Sequence, residues 1–330
     1  MKKIMIIAGS VDKIKFRINF INKLQQKGYE IFIVAPFSIN DNSLRKQLLN
    51  NEIEVYDFPL ERTSTNPFVD LKTFIFLYKL MKEIKPTHII TFTIKSVIYG
   101  SIVAKLMRVP KRYAVITGLG YIFTSNEKNN IFKRILFGFI KKLYYYALVD
   151  VDKVFFQNPD DEKLFRETGV VSNDKKTAIL NGSGVDLDHF YYSELMTNQP
   201  RFLLISRLLK NKGIREYAEA ARIICAKHSK VIFDLVGWMD QNPDSIDQNK
   251  LNQWIQEGTL NYLGHSDDVR NNIINCTVFV LPSYREGTPR VVLESMAMGR
   301  AIITTDAPGC RETVKDGENG FLVPVKSTLS

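Results

Sequence analysis

Short β-branched runs alternate with longer stretches of helical period along nearly the whole chain, and that alternation leaves few architectures open. In the first half, residues 3–8, 30–35, 53–58, 88–92, 113–117 and 153–157 read as strands. Between them, 15–27, 67–83, 96–107 and 129–148 read as helices. Such βαβ units build a parallel sheet. A further short strand at 177–180 precedes Asn181-Gly-Ser-Gly-Val-Asp186, and then a polar stretch without clear period runs to Pro200. The pattern restarts with strands at 201–206, 231–236, 260–263, 278–282 and 301–305, and helices at 213–228, 248–257, 267–275 and 289–298. The expectation is an α/β protein of two doubly wound, Rossmann-like domains, 1–186 and 201–330, joined by a linker at 187–200. Ligands of that architecture bind where the C-terminal ends of the strands open, here into a cleft between the domains.

Length agrees with two cores, because 330 residues exceed what one core of ~250–300 comfortably fills. The three cysteines, Cys225, Cys276 and Cys310, are scattered without a C-x-x-C pair. That excludes a zinc or disulfide framework and fits a reducing compartment. No apolar run reaches the ~18 residues that a bilayer span requires. The apolar start, Met1-Lys-Lys-Ile-Met-Ile-Ile-Ala8, is too short for a signal sequence and runs into Gly9-Ser10, so a buried first strand ending in a glycine turn explains it better. The expected location is cytoplasmic.

Net charge is +10 and unevenly spread. Residues 1–150 hold 24 Lys and Arg against 11 Asp and Glu, a balance of +13, and the remaining 180 residues balance at −3. A basic half points to an anionic partner: nucleic acid, membrane surface or phosphorylated substrate.

The most informative segment is Leu281-Pro-Ser-Tyr-Arg-Glu-Gly-Thr-Pro-Arg-Val-Val-Leu-Glu294. A strand ends at Leu281, a glycine-containing turn follows, and a helix opens with Thr288 as N-cap and Pro289 at the first helical position. Free N–H groups and the positive helix end then suit a phosphate. Glu286 sits in the turn, and Glu294 lies inside the helix among apolar neighbours, where a carboxylate needs a partner such as ribose hydroxyls. A second anion site is Ile205-Ser-Arg-Leu-Leu-Lys-Asn-Lys-Gly213, whose Arg207 and Lys212 flank a loop between strand and helix.

Together these segments resemble glycosyltransferase family 4, retaining enzymes of the two-domain GT-B fold. The matching residues are the Ser206-Arg207 to Gly213 loop, Tyr262-Leu-Gly264, Phe279 through Gly287, Glu294-Ser-Met-Ala-Met-Gly299 and Gly309-Cys-Arg-Glu312. The resemblance implies catalytic roles for Glu286 at the donor sugar and for Arg207 and Lys212 at the pyrophosphate. It implies donor binding by Glu294 at the ribose, Leu263 and Gly264 at the base, Gly9 and Ser10 near the diphosphate and acceptor, and the turn Gly287, Thr288, Pro289, Arg290. The segments Thr91-Phe-Thr-Ile-Lys95 and Gly118-Leu-Gly-Tyr-Ile-Phe123 are similar to the subgroup that extends undecaprenyl-diphosphate-linked glycans. The implied partners are a nucleotide-sugar donor, UDP-linked, a lipid-linked acceptor and an anionic membrane surface, with no nucleic acid and no bound metal or other cofactor.

Two departures stand out. The family's His after the fifth strand is absent, the chain reading Ile116-Thr117-Gly118, and family members continue through further helices beyond the strand at 321–323. The triplets Asp150-Val-Asp152 and Asp186-Leu-Asp188 fall away from strand C-termini and are not expected to hold a metal. A sugar-nucleotide epimerase of the same fold is the main alternative. A nicotinamide oxidoreductase is disfavoured, since Gly9-Ser-Val-Asp-Lys is not G-x-G-x-x-G, and turnover would separate the enzyme from a non-catalytic binding protein. The basic helix around Lys133, Arg134, Lys141 and Lys142 is the expected membrane contact, making the protein peripheral at the inner face of the cell membrane.

Overall fold

The computed structural model describes residues 2–38, 41–61, 66–119, 131–195, 199–239 and 244–328, with the backbone alone for 131–133. The segment 120–123, the helix start expected at Asn129 and the Lys133 side chain therefore lie outside the described residues. Two compact units divide the chain, Met1–Ser183 and Gly184–Ser330.

The first unit runs β1 (Lys2–Ala8), α1 (Asp12–Lys15), α2 (Ile18–Gln26), β2 (Tyr29–Ala35), α3 (Asn42–Asn50), β3 (Glu54–Asp57), α4 (Pro67–Ile84), β4 (His88–Phe92), α5 (Ile94–Leu106), β5 (Lys111–Ile116), α6 (Ile131–Leu148), β6 (Lys153–Phe156), α7 (Pro159–Glu167) and β7 (Thr177–Ile179). Its sheet has the order β3-β2-β1-β4-β5-β6-β7, parallel throughout. The chain walks outward from β1 to β3, then returns to β4 and walks the other way. Right-handed crossovers therefore put α1–α3 on one face and α4–α6 on the other. The packing agrees: Ile4, Ile6 and Ala8 bury against Ile14, Ile21 and Leu48, while Met5 and Ile7 bury against Leu77, Met81 and Val103. Buried on both faces, β1 reads as a continuous apolar run. Helix α4 shows how local sequence sets its limits. Asn66 accepts a hydrogen bond from Phe68 N (3.0 Å), Pro67 takes the first turn, and Lys85 ends the helix in the left-handed region at φ 54°.

The second unit runs β8 (Arg201–Ile205), a 3-10 turn (Lys210–Lys212), α8 (Ile214–Lys227), β9 (Ile232–Val236), α9 (Gln248–Gln256), β10 (Asn261–Tyr262), α10 (Arg270–Ile274), β11 (Val278–Leu281), α11 (Arg290–Ala297), β12 (Ala301–Thr305) and β13 (Phe321–Val323). The order β10-β9-β8-β11-β12-β13 is again parallel, and it reverses between β8 and β11.

Four details differ from the sequence expectation. The helix expected over 15–27 is two helices, because Arg17 leaves helical geometry (φ −125°, ψ 15°) and its guanidinium lies 4.4 Å from the Phe92 ring centroid. Helices α3 and α7 were not expected. The helix after β11 begins one residue late: Pro289 is the N-cap with an extended ψ of 103°, and Thr288 precedes it. Part of the 187–200 stretch packs on the second unit. Phe190 is buried with Leu203 and Phe279, and Arg300 Nη2 donates to the Ser193 carbonyl at 2.7 Å.

Candidate active site

In the second unit the strand order reverses between β8 and β11, so the loops leaving those strands face each other. They are joined tightly. Gly213 closes the first loop at φ 72°, and a Cβ there would stand 2.1 Å from the Pro282 carbonyl oxygen, so only glycine allows this approach. Tyr284 N donates to the Asn211 carbonyl (2.9 Å), and the Tyr284 hydroxyl donates to Glu216 (2.7 Å). Burial, with Glu216 beside it, raises the Tyr284 pKa and keeps the phenol protonated.

This junction sets Lys212 against Glu286, whose ammonium and carboxylate form an ion pair, each side chain largely shielded from water. Glu286 is fixed from behind as well, its N–H donating to the Pro308 carbonyl at 2.8 Å. Cys310, in the same loop after β12, is buried, and desolvation with Glu286 nearby pushes its thiol up to about 12. That thiol stays neutral at physiological pH. Strand β12 also braces the turn: Thr304 Oγ1 donates to Leu281 O (2.7 Å), and Thr305 Oγ1 donates to Ser283 O.

Glu294, 7% exposed on α11, has Arg290 as a partner one turn earlier, Nε to Oε1 at 2.6 Å. The two glutamates thus each face a cation of their own, and Gly287, Thr288 and Pro289 carry the chain from one pair to the other. Arg207 stands at the start of the loop after β8, half-buried. Leu263 and Gly264 follow β10, Leu263 exposed and the Gly264 carbonyl accepting from Gly237 N at 2.8 Å.

Gly9 and Ser10 belong to the first unit, at the C-terminal end of β1, where that sheet also reverses order. Gly9 N donates to Thr93 Oγ1 (3.1 Å), and a Cβ on Gly9 would fall 2.3 Å from that oxygen. Its N–H is therefore committed to holding the turn. Thr93 pays in backbone strain, with φ 75° and ψ 158°, a region that residues with a Cβ rarely adopt. Two residues on, Lys95 pairs with Asp70 of α4 at 2.7 Å.

Sequence reading missed Thr93, although a Thr two residues before the subgroup's Lys was in view. It also missed Trp238 and His265, exposed aromatics flanking Gly264 whose rings meet edge to face at 4.8 Å. The Asp triplets serve local structure: Asp150 pairs with Lys105, Asp152 with Lys111, and Asp186 accepts from Asp188 N at 3.0 Å. Among the described residues no cluster of three or more His, Cys, Asp or Glu is arranged to hold a metal.

Two family descriptions cover most of the chain: glycosyl transferase 4-like over residues 8–158 and glycosyl transferases group 1 over 199–329. The N,N'-diacetylbacillosaminyl-diphospho-undecaprenol alpha-1,3-N-acetylgalactosaminyltransferase of Campylobacter jejuni is 32% identical over 94% of this chain and 82% of that protein. The UDP-Gal:alpha-D-GlcNAc-diphosphoundecaprenol alpha-1,3-galactosyltransferase of Escherichia coli is 25% identical over 92% and 80%. Among solved structures, a glycosyltransferase from Rickettsia africae superposes with a TM-score of 0.74 at 20% identity, covering 99% of this chain and 85% of that one. Anabaena HepE in complex with UDP gives 0.71 at 18% identity, covering 99% and 87%. At such identities the structures speak for the fold, which is GT-B. The Campylobacter, Escherichia and Rickettsia proteins are all named as glycosyltransferases, and they lend no support to an epimerase. The chain is a glycosyltransferase and belongs to the group 1, family 4-like glycosyltransferases.

Proposed function

We propose that the chain transfers a hexose or N-acetylhexosamine from a UDP donor to an undecaprenyl-diphosphate-linked glycan, with retention of anomeric configuration. The observation that carries this reading is the junction of the loops after β8 and β11, where Arg207, Lys212, Glu286 and the start of α11 share one switch point. The acceptor class rests on the two relatives named for diphospho-undecaprenol substrates.

In this reading Arg207 and Lys212 meet the donor pyrophosphate, and the amides around Gly287 to Arg290 add the positive end of α11. Lys212 is already oriented by Glu286, so little reorganisation is needed as charge grows on the leaving diphosphate. Glu286 contacts the donor sugar, Glu294 takes ribose hydroxyls, and the backbone at Leu263 and Gly264 meets the base. Gly9 and Ser10 serve the diphosphate and acceptor side. As the glycosidic bond to the diphosphate breaks, the sugar gains oxocarbenium character. The acceptor hydroxyl attacks the same face, its proton passing to the departing phosphate. Fixed cations meet the diphosphate, so no divalent metal is required.

A lipid-linked acceptor places the enzyme at a membrane. No described helix is long and apolar enough to cross one. Helix α6 offers a peripheral contact, since Arg134 and Lys142 are exposed beside Ile135, Phe139 and Tyr146. Contact with the inner face of the cell membrane, from the cytoplasm, follows.

The test is a mass-spectrometric screen of UDP-sugars with short undecaprenyl-type diphosphate acceptors, in EDTA. One sugar added to the acceptor supports the proposal. Donor conversion without acceptor, or activity lost in EDTA and restored by manganese, contradicts it.

A further inference from the structure

Helix α4 carries an outward face that the function so far leaves unused. At 100° per residue, Tyr78, Leu71, Lys82, Ile75, Phe68, Lys79 and Lys72 fall within an arc of about 120°, and all seven are exposed, Phe68 at 75%. The opposite side, with Leu77, Leu80, Met81 and Ile84, is buried against the sheet. Four large apolar groups facing water on one helix are unusual for a surface meant to stay there.

Helix α5 packs between α4 and α6, and all three lie on the same face of the sheet. The exposed stripe of α6, with Ile135, Phe139 and Tyr146 beside Arg134 and Lys142, therefore flanks the α4 stripe across a largely buried α5. Both helices follow strands of a parallel sheet, so both begin at its C-terminal edge, where Gly9, Ser10 and Thr93 stand. The first turn of α4 is tied to that edge by the Asp70–Lys95 ion pair.

We infer that α4 and α6 together form a two-helix seat on an anionic lipid surface, with α4 as a second arm. This rests on the lipid-acceptor reading above and extends it to a helix that reading does not need. Lysines interspersed with apolar groups on one arc suit headgroups above and acyl chains below. They do not suit a second copy of the chain, because the same face would set lysines against lysines. Seated this way, the sheet edge bearing Gly9 and Thr93 lies beside the headgroup layer, where the diphosphate of a lipid-linked acceptor sits.

Two α4 variants test this, Lys72→Gln/Lys79→Gln/Lys82→Gln and Phe68→Ser/Leu71→Ser/Ile75→Ser, alongside Ile135→Ser/Phe139→Ser in α6. Each is sedimented with vesicles of phosphatidylglycerol and phosphatidylcholine, and with phosphatidylcholine alone. Circular dichroism and transfer to a short-chain, water-soluble acceptor check that fold and site are intact. Removing three lysines is expected to lower partitioning onto the anionic vesicles on the order of 100-fold, at ~1 kcal/mol each, with soluble transfer unchanged. Anionic binding equal to wild type in both α4 variants, with loss in the α6 variant, overturns the inference and leaves the membrane reading standing. A wild type that ignores anionic vesicles removes both. A dimer that becomes monomeric in the α4 variants with vesicle binding unchanged assigns the face to self-association and overturns the lipid seat.

Discussion

Glu286 and Glu294 lie eight positions apart, yet each is matched to a different cation, Lys212 across the loop junction and Arg290 on its own helix. Their substitutions should therefore separate. Glu286→Gln is expected to depress turnover strongly, because it releases Lys212 and weakens the sugar contact proposed for this carboxylate. Glu294→Ala is expected mainly to weaken nucleotide binding by roughly 10- to 150-fold, the equivalent of ~1.5–3 kcal/mol for a charged hydrogen bond. Steady-state kinetics and nucleotide titration of both variants check this, and equal effects on both quantities would contradict it. Thr93 allows a second comparison, in stability. Thr93→Ala keeps the strained backbone and loses the bond to Gly9 N, so it should cost about 1 kcal/mol. Thr93→Gly loses the same bond and relieves strain of ~1–3 kcal/mol. Urea denaturation should thus find the glycine variant the more stable of the two. The glutamates were legible because motif and spacing advertise them. Thr93 was not, because its role lies in a backbone angle and a contact to a residue 84 positions away.

Among the elements, strands were the easiest to read, since a strand buried on both faces is a plain apolar run. Helix α7 was missed although its signals are present: Asn158 caps Asp161 N at 2.7 Å, Pro159 follows, and three acidic residues fill the first turn. Its polar composition hid the fully buried aromatic anchor, Phe165. The break at Arg17 could not be read, because the ring its guanidinium lies over belongs to Phe92, on a strand far away in sequence. The loop junction is an element-scale device with its own test. Gly213→Ala forces a Cβ toward the Pro282 carbonyl and into positive φ, which should lower the thermal midpoint by several degrees. It should also reduce transfer, because Lys212 and Glu286 sit on the two loops being pushed apart. Differential scanning calorimetry with a transfer assay reads both, and a variant unchanged in either respect would show that the loops accommodate the methyl group.

The whole molecule is two doubly wound units, each with its own buried cores. That repetition was visible in the sequence as a pattern that stops and starts again. The boundary was less so, because the polar stretch after Asp186 contains Phe190, which anchors it on the second unit. Two cores predict a calorimetric trace that is not a single two-state transition. UDP should raise mainly the transition of the second unit, by ~2.7 kcal/mol at a hundred times its dissociation constant. A nucleotide that moved both equally, or only the first, would place donor binding elsewhere. The account turns on transfer with retention by fixed cations, and proton NMR of the product formed in EDTA measures it most directly. The account predicts a new glycosidic anomeric signal on the acceptor glycan with the donor's configuration. An inverted anomer would contradict it.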